Sequence, residues 1–211
     1  MPFGYILKNV RMNGVTGFPE RIVITRSDER TKYWFLSSAL VLFTVLWLWV
    51  NGAVCWPGKY ASLWSSEVWS SSNSQHPLDP YTLTHTMFGI LCFLIASLTA
   101  KRLPPSRQFF LAILAACIWE ICENSAFFIE RFRHSTAAAD YGGDALVNST
   151  IDIVACGLGF CLAMKVRKRI SILIFIAVEV VTMSWVRDNL VLNILMLLFP
   201  VESIRNWQLG I

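Results

Sequence analysis

Five long apolar stretches separated by short polar segments organise this chain, at about 33–50, 81–100, 108–128, 145–164 and 170–185. Most approach the roughly 20 residues that a helix needs to cross hydrocarbon. A sixth run, 190–199, stops at Pro200. At about 10 residues it is short for a span and predicts an interfacial or re-entrant helix. The pattern predicts an all-α fold, a polytopic membrane helix bundle of about five transmembrane helices plus that short C-terminal helix. Residues 33–211 form a single integral membrane domain in this reading, and residues 1–32 a basic, partly disordered cytoplasmic tail. Either Met1 or Met12 can serve as the start. The first apolar block ends in Trp47, Trp49 and Val50 without a small-residue cleavage site, so it reads as a retained anchor and not a signal peptide.

Charge then orients the bundle. Thirteen Lys and Arg fall in the tail and in the loops 101–107 and 165–169, against five in the alternate segments. The positive-inside rule therefore predicts a bacterial inner-membrane protein with its N terminus in the cytoplasm and its C terminus in the periplasm. This also accounts for the net charge of +4 without nucleic acid, because no basic run is interleaved with exposed aromatics. The six cysteines include no CxxC pair and read as small, soft core residues. In the external segment 51–80, Trp56, Tyr60, Trp64 and Val68 share rough helical spacing, which predicts an amphipathic helix at headgroup level. Asp79 followed by Pro80 is a helix start.

The chemistry-bearing residues are carboxylates where hydrocarbon should make them costly: Glu120, Glu123, Asp144, Asp152 and Glu179. If the third span runs to Phe128, Glu120 and Glu123 lie about 12 and 8 Å below its outer end. His85, Asn148 and Asp152 fall at comparable depth on the second and fourth spans, and Glu179 on the fifth. Asp144, Asn148 and Asp152 are four apart and share one stripe. Glu120, Glu123 and Asn124 share a face of the third helix. The connection 129–143 reads as a loop, with Gly142 and Gly143 permitting a sharp turn before Asp144.

Three readings follow. In the first, Glu120, Glu123 and Asp152 are catalytic carboxylates, since two acids close together in low dielectric supply an acid and a base. His85, Asn124, Asp144, Asn148 and Arg187 then bind an envelope or lipid-linked ligand on the external side. No cofactor is required by the sequence, although Asp, Glu, Asn and His suit a divalent cation of unspecified identity. In the second reading the acids are interhelical glue neutralised by Arg131, Arg133 and Arg187, and the protein is structural. In that light His85 is a packing histidine, and Ala155 with Gly157-Leu158-Gly159 permits close helix packing. The third is an ion or proton pathway, opposed by the lack of polar residues in the inner halves of the helices. HExxH, GxSxG and P-loop patterns are absent from the sequence.

These residues belong to a longer series: Ser74-Gln75-His76, Trp119-Glu120-Ile121-Cys122-Glu123-Asn124-Ser125, Ile129-Glu130-Arg131, Asp140-Tyr141-Gly142-Gly143-Asp144, Asn148-Ser149 with Asp152, Arg187-Asp188-Asn189-Leu190 and Ile204-Arg205-Asn206-Trp207-Gln208. In that order, over roughly residues 74 to 208, the chain resembles an uncharacterised family of small multi-pass bacterial inner-membrane proteins. The resemblance implies a location and no reaction. A looser likeness to the VanZ-like membrane proteins rests on Glu120 or Glu123, Arg131 or Arg133, Asp144, Asn148 and Gly157-Leu158-Gly159.

Overall fold

The computed structural model describes residues 26–57 and 62–211, and among these the protein is all-helical. In chain order the helices are α1 (Arg26–Val50), α2 (Pro80–Thr99), α3 (Pro105–Glu123), α4 (Ala126–Ser135), α5 (Leu146–Lys165), α6 (Lys168–Val186), α7 (Leu190–Leu198) and α8 (Glu202–Leu209). Five of them are long and apolar enough to cross a membrane: Asp28–Val50 within α1, and α2, α3, α5 and α6. Their outward faces carry large apolar side chains such as Phe35, Leu98, Leu158 and Leu173. In water such a surface would drive association, whereas lipid tails solvate it as well as another leucine would.

α5 is the most enclosed of the five. Its Ile153, Cys156 and Phe160 interlock with Phe109, Ala112, Ile113, Ala116 and Cys117 of α3. Phe160 meets both Phe93 of α2 and Phe109 edge-on. α2 crosses α5 so closely that a Cβ on Gly89 would strike the Cys156 carbonyl, and one on Gly159 the Thr86 carbonyl. The close packing expected of the Gly157–Gly159 stretch is thus present at Gly159, with Gly89 as its counterpart on α2. The two helices run parallel: Asp79 meets Asn148, then His85 faces Asp152, then Gly89 abuts Cys156.

The start of α5 is tied to the segments after α1 and before α2, through Leu146 N–H to Val54 C=O and Ala145 N–H to Ser74 C=O. α4, α7, α8 and the segment 62–78 close over this end of the bundle. Arg131 donates to the carbonyls of Leu197 and Leu198 at the end of α7, and Arg205 to that of Thr136. Cations on terminal helix carbonyls satisfy acceptors that a helix leaves open.

Several expectations need correction. The first helix begins at Arg26 and not near Tyr33, helped by Asp28 and Glu29 in its first turn, where acids suit the helix dipole. Residues 26–32 of the expected tail are thus helical, and 1–25 lie outside the described residues. The third helix does not continue to Phe128. It stops at Glu123, because Asn124 turns its side chain to Asp144, while the Ser125 hydroxyl bonds the Cys122 carbonyl and caps α4 at Phe128 N–H. Glu120 and Glu123 consequently lie within one turn of the end of α3. The predicted 129–143 loop is half helix, since α4 runs to Ser135. The amphipathic helix expected within 51–80 is not formed by the described residues there. Residues 64 and 78 instead form a single bridge, and serines bond their own backbone, as Ser70 does to Glu67. Serine offers the chain such alternatives to helix. Val68 is buried, Trp64 stacks on Trp185, and Tyr60 lies outside the described residues. The short helix expected at 190–199 is α7, and α8 follows it unanticipated.

Candidate functional site

The site is built where α2 and α5 start and α3 ends. Asp79 caps α2 by accepting from Tyr81 N–H (2.8 Å) and Thr82 N–H (3.2 Å). Its other oxygen accepts from the Asn148 amide, which also donates to the His76 carbonyl at 2.8 Å. Asn148 is thus a strut holding α5 to the entry of α2. Asn124 does the same work between α3 and α5: its oxygen accepts from Asp144 N–H (2.6 Å) and its amide donates to the Glu120 carbonyl. Asp144 is also bound by the Tyr141 hydroxyl at 2.7 Å. The turn that delivers it needs Gly143, which sits at φ +91° with Ile129 and Asn124 against the space a Cβ would take.

Beneath this polar collar lie His85, Glu120, Glu123 and Asp152. His85 Nδ1 stands 3.5 Å from Glu120 Oε1 and Nε2 stands 3.7 Å from Asp152 Oδ2, so the imidazole is sandwiched between two carboxylates without closing a short hydrogen bond to either. Glu120 is fully buried and Asp152 is 2% exposed. His85 Nδ1, both Glu120 oxygens, Glu123 Oε2 and Asp152 Oδ1 are buried with no hydrogen-bond partner within the protein. Ser149 neighbours Glu120, but its hydroxyl is outside bonding geometry. Buried polar atoms are almost always partnered, so a group of five orphans in one place marks a ligand or water site.

A cavity opens beside them, lined by Tyr81, His85, Trp119, Glu123, Asp144 and Asp152 among others, with Leu190 and Ile194 of α7 on the far wall. It leaves about 70 Å³ for the centres of water-sized molecules. That is room for several waters, an ion or the tip of a larger ligand. Glu120 does not reach the cavity wall. A second hollow of about 420 Å³ shares Asp144 with the first and is lined by Asn51, Gln75, Asn124 and Gly143.

The sequence-predicted residues sort into three sets. His85, Glu120, Glu123, Asn124, Asp144, Asn148 and Asp152 come together. Glu179 does not join them. Its two oxygens accept from Leu190 N–H (3.2 Å) and Val191 N–H (3.1 Å), so it caps α7. Arg187 also departs: it is solvent-facing and donates to the Trp207 carbonyl at the end of α8. Arg133 bonds the Tyr141 carbonyl and Arg131 the end of α7. Among the described residues, the arginine ion pairs are Arg107–Glu29 and Arg133–Glu130. None of the arginines expected to neutralise the acids is paired with them. Sequence reasoning missed Asp188, Tyr81 and Tyr141 as neighbours of the site. Asp188 is 1% exposed and accepts from the Tyr81 hydroxyl at 2.9 Å. The available signal was the Arg187-Asp188-Asn189 run, where the inward residue is the acid and not the base.

The acids of the collar are poised near neutrality. Burial pushes Asp188 up to about 7 against its hydrogen bond from Tyr81, and pushes Asp144 up to about 6 against its bond from Tyr141. Asp79 also rises to about 6, from burial first and the Asp144 charge second. Each folded-state value lies above the unfolded one, so the folded protein holds more protons across this window. Stability from these groups is therefore present at acid pH and declines as pH rises from about 4 through 7. We expect the melting temperature in detergent to fall between pH 5 and pH 8, and to fall less in Asp188→Asn. A melting temperature that is flat or rising over that range would contradict the assignment.

Residues 46–210 match the family model described as a protein of unknown function (DUF2585). The chain belongs to the DUF2585 family. It is 39% identical over 191 residues to a UPF0314 protein of Brucella anthropi, covering 88% of this chain and 96% of the relative. A UPF0314 protein of Paracoccus denitrificans is 40% identical over 189 residues, covering 89% and 96%. One of Rhizobium etli is 38% identical over 182 residues, covering 85% and 93%. The DUF2585 match starts well before residue 74, so the likeness is broader than the motifs alone suggested. No solved structure matches the chain.

Proposed function

We propose that this DUF2585 protein lies in the bacterial inner membrane with its N terminus in the cytoplasm, and that its carboxylate chamber opens toward the periplasm to bind an envelope or lipid-linked ligand. The thirteen-to-five distribution of Lys and Arg supports that orientation. The observation that carries the ligand reading is the set of buried, unpartnered atoms of His85, Glu120, Glu123 and Asp152 at the side of a cavity. Acids that serve as glue find partners, as Asp79, Asp188 and Glu179 do. Both oxygens of Glu120 and one each of Glu123 and Asp152 do not, and among the described residues no arginine or lysine pairs with them.

The chamber offers general acid–base chemistry. Glu123, Asp152 and His85 line it and can touch a ligand. Glu120 is buried beside His85 and does not line the cavity. The cavity admits the polar tip of a lipid-linked molecule and not its bulk. An ion pathway is disfavoured because the apolar cluster of Phe109, Ile113, Ile153 and Phe160 packs directly beneath the acids. Glu123→Gln and Asp152→Asn are expected to lose the function of a deletion strain's complementing copy while accumulating in the membrane at parental level. Full complementation by both variants would refute the reading, and loss matched by loss of protein would return the acids to a structural role. A reporter fused within 62–78 that is active only in the cytoplasm would reverse the orientation.

A further inference from the structure

We propose that His85 Nδ1, Glu120 and Glu123 hold one divalent transition-metal cation, with Asp152 positioning the imidazole. This rests on the chamber being a ligand site and names what completes it.

Geometry comes first. One ligand atom from each of the three residues lies within 4.8 Å of the others. Ligands on opposite sides of a cation are separated by twice the bond length, roughly 4–5 Å for bonds of 2.0–2.5 Å, so one ion can reach all three. The residues come from well-anchored places. Glu120 and Glu123 are three apart on the last turn of α3, and His85 is one and a half turns into α2, where Gly89 clamps that helix to α5.

The unfilled bonding capacity comes second. His85 Nδ1, both Glu120 oxygens and Glu123 Oε2 are buried without partners. These are the atoms a cation would engage, and a divalent charge balances two carboxylates where, among the described residues, no arginine or lysine does. The other imidazole nitrogen faces Asp152 at 3.7 Å. A histidine that binds a metal through one nitrogen commonly donates its other N–H to a carboxylate, which fixes the tautomer and the ring. Asp152 stands where that carboxylate belongs and comes from a third helix, α5.

Ligand type decides the class of metal. Calcium takes six to eight oxygens and magnesium a largely hydrated octahedron, and neither favours imidazole. A mixed nitrogen and carboxylate set suits borderline ions such as Zn²⁺, Mn²⁺ or Fe²⁺. Three protein ligands leave coordination positions open, and because His85 and Glu123 line the cavity those positions face it. A water or an oxygen of the bound ligand would occupy them.

The test uses full-length protein purified in detergent, stripped with a chelator and dialysed. Zn²⁺, Mn²⁺, Ca²⁺ and Mg²⁺ are each titrated by calorimetry, with bound metal counted by elemental analysis. Expected are one ion per chain, at least tenfold tighter binding of Zn²⁺ or Mn²⁺ than of Ca²⁺ or Mg²⁺, and at least tenfold weakening in Glu120→Gln, Glu123→Gln and His85→Gln. Asp152→Asn should weaken binding less than these, and Glu130→Gln on the surface of α4 not at all. Melting curves of the stripped variants confirm that each is folded. Absence of saturable binding, or binding unchanged in the three ligand variants, overturns the site. So does tight binding of methylammonium with no response to metal, which would make the acids a cradle for an amine. Loss of complementation in Glu123→Gln without any metal binding would remove the metal and leave the chamber's function standing. Metal binding with full complementation by Glu123→Gln and Asp152→Asn would do the reverse.

Discussion

Alanine at Gly89 or Gly159 should cost this protein much of its thermal stability, and leucine at either should leave no folded bundle to purify. A Cβ at these positions meets backbone, the Cys156 and Thr86 carbonyls, so no rotamer change can relieve it. The helices must separate. Forcing extra methylenes into a packed interior costs about 1–3 kcal/mol and occasionally more. With main chain as the obstacle, the upper end or beyond is expected. For a protein of this size each kcal/mol shifts the melting temperature by roughly 2–4 °C, so alanine should lower it by about 6–12 °C. The effect should reach the site as well, because spreading α2 from α5 pulls His85 away from Asp152. Two other glycines provide the scale. At Gly157 a Cβ would meet the movable tip of Ile113 at 3.3 Å, and at Gly142 it would meet nothing. Gly157→Ala should be mild and Gly142→Ala silent. Gly89→Ala melting with the parent would mean that the two helices are not held in this close crossing.

The five long helices were legible because hydropathy and length are one-dimensional properties, and lipid imposes both. The convergence of His85, Glu120, Glu123, Asn124, Asp144, Asn148 and Asp152 was legible for a related reason: helical spacing places polar residues on a face, and alternating spans bring matching depths together. Partner choice was not legible. Arg187, and not Asp188, was the residue expected at the site. The left-handed backbone of Arg187 at φ 58° ends α6, sends its side chain toward α8, and leaves Asp188 facing inward. Glu179 sat at the right depth but one helix face away, where the orphan amides of α7 took it. The break after Glu123 was hidden because the apolar pattern continues through Phe127 and Phe128. Only the competing bonds of Asn124 and Ser125 end the helix there. Gly89 gave no signal in isolation, since its requirement for a bare Cα comes entirely from α5.

The acids that the sequence presented as one group should therefore respond to neutralisation in opposite ways. Glu179 supplies the acceptor for two amides at the start of α7, and Glu179→Leu leaves both unbonded in a part-buried setting. Each such loss costs about 1–3 kcal/mol, so the melting temperature should fall by several degrees at least. Glu120 supplies nothing of the kind. It is a buried carboxyl with neither oxygen bonded, crowded by Glu123 and Asp152, and its retention is a standing cost to the fold. In chelator, Glu120→Gln removes the potential charge at nearly constant shape and should raise the melting temperature by a few degrees, about 1 kcal/mol or more. Asp152→Asn should act in the same direction. Addition of Zn²⁺ or Mn²⁺ should invert the order, stabilising the parent by its binding free energy and the Glu120→Gln protein hardly at all. A structural acid cannot produce that inversion, because its worth does not depend on what is added to the buffer. If Glu120→Gln melts below the parent in chelator, as Glu179→Leu should, Glu120 is glue after all, and the chamber loses the feature that distinguishes it from the rest of the bundle's polar contacts.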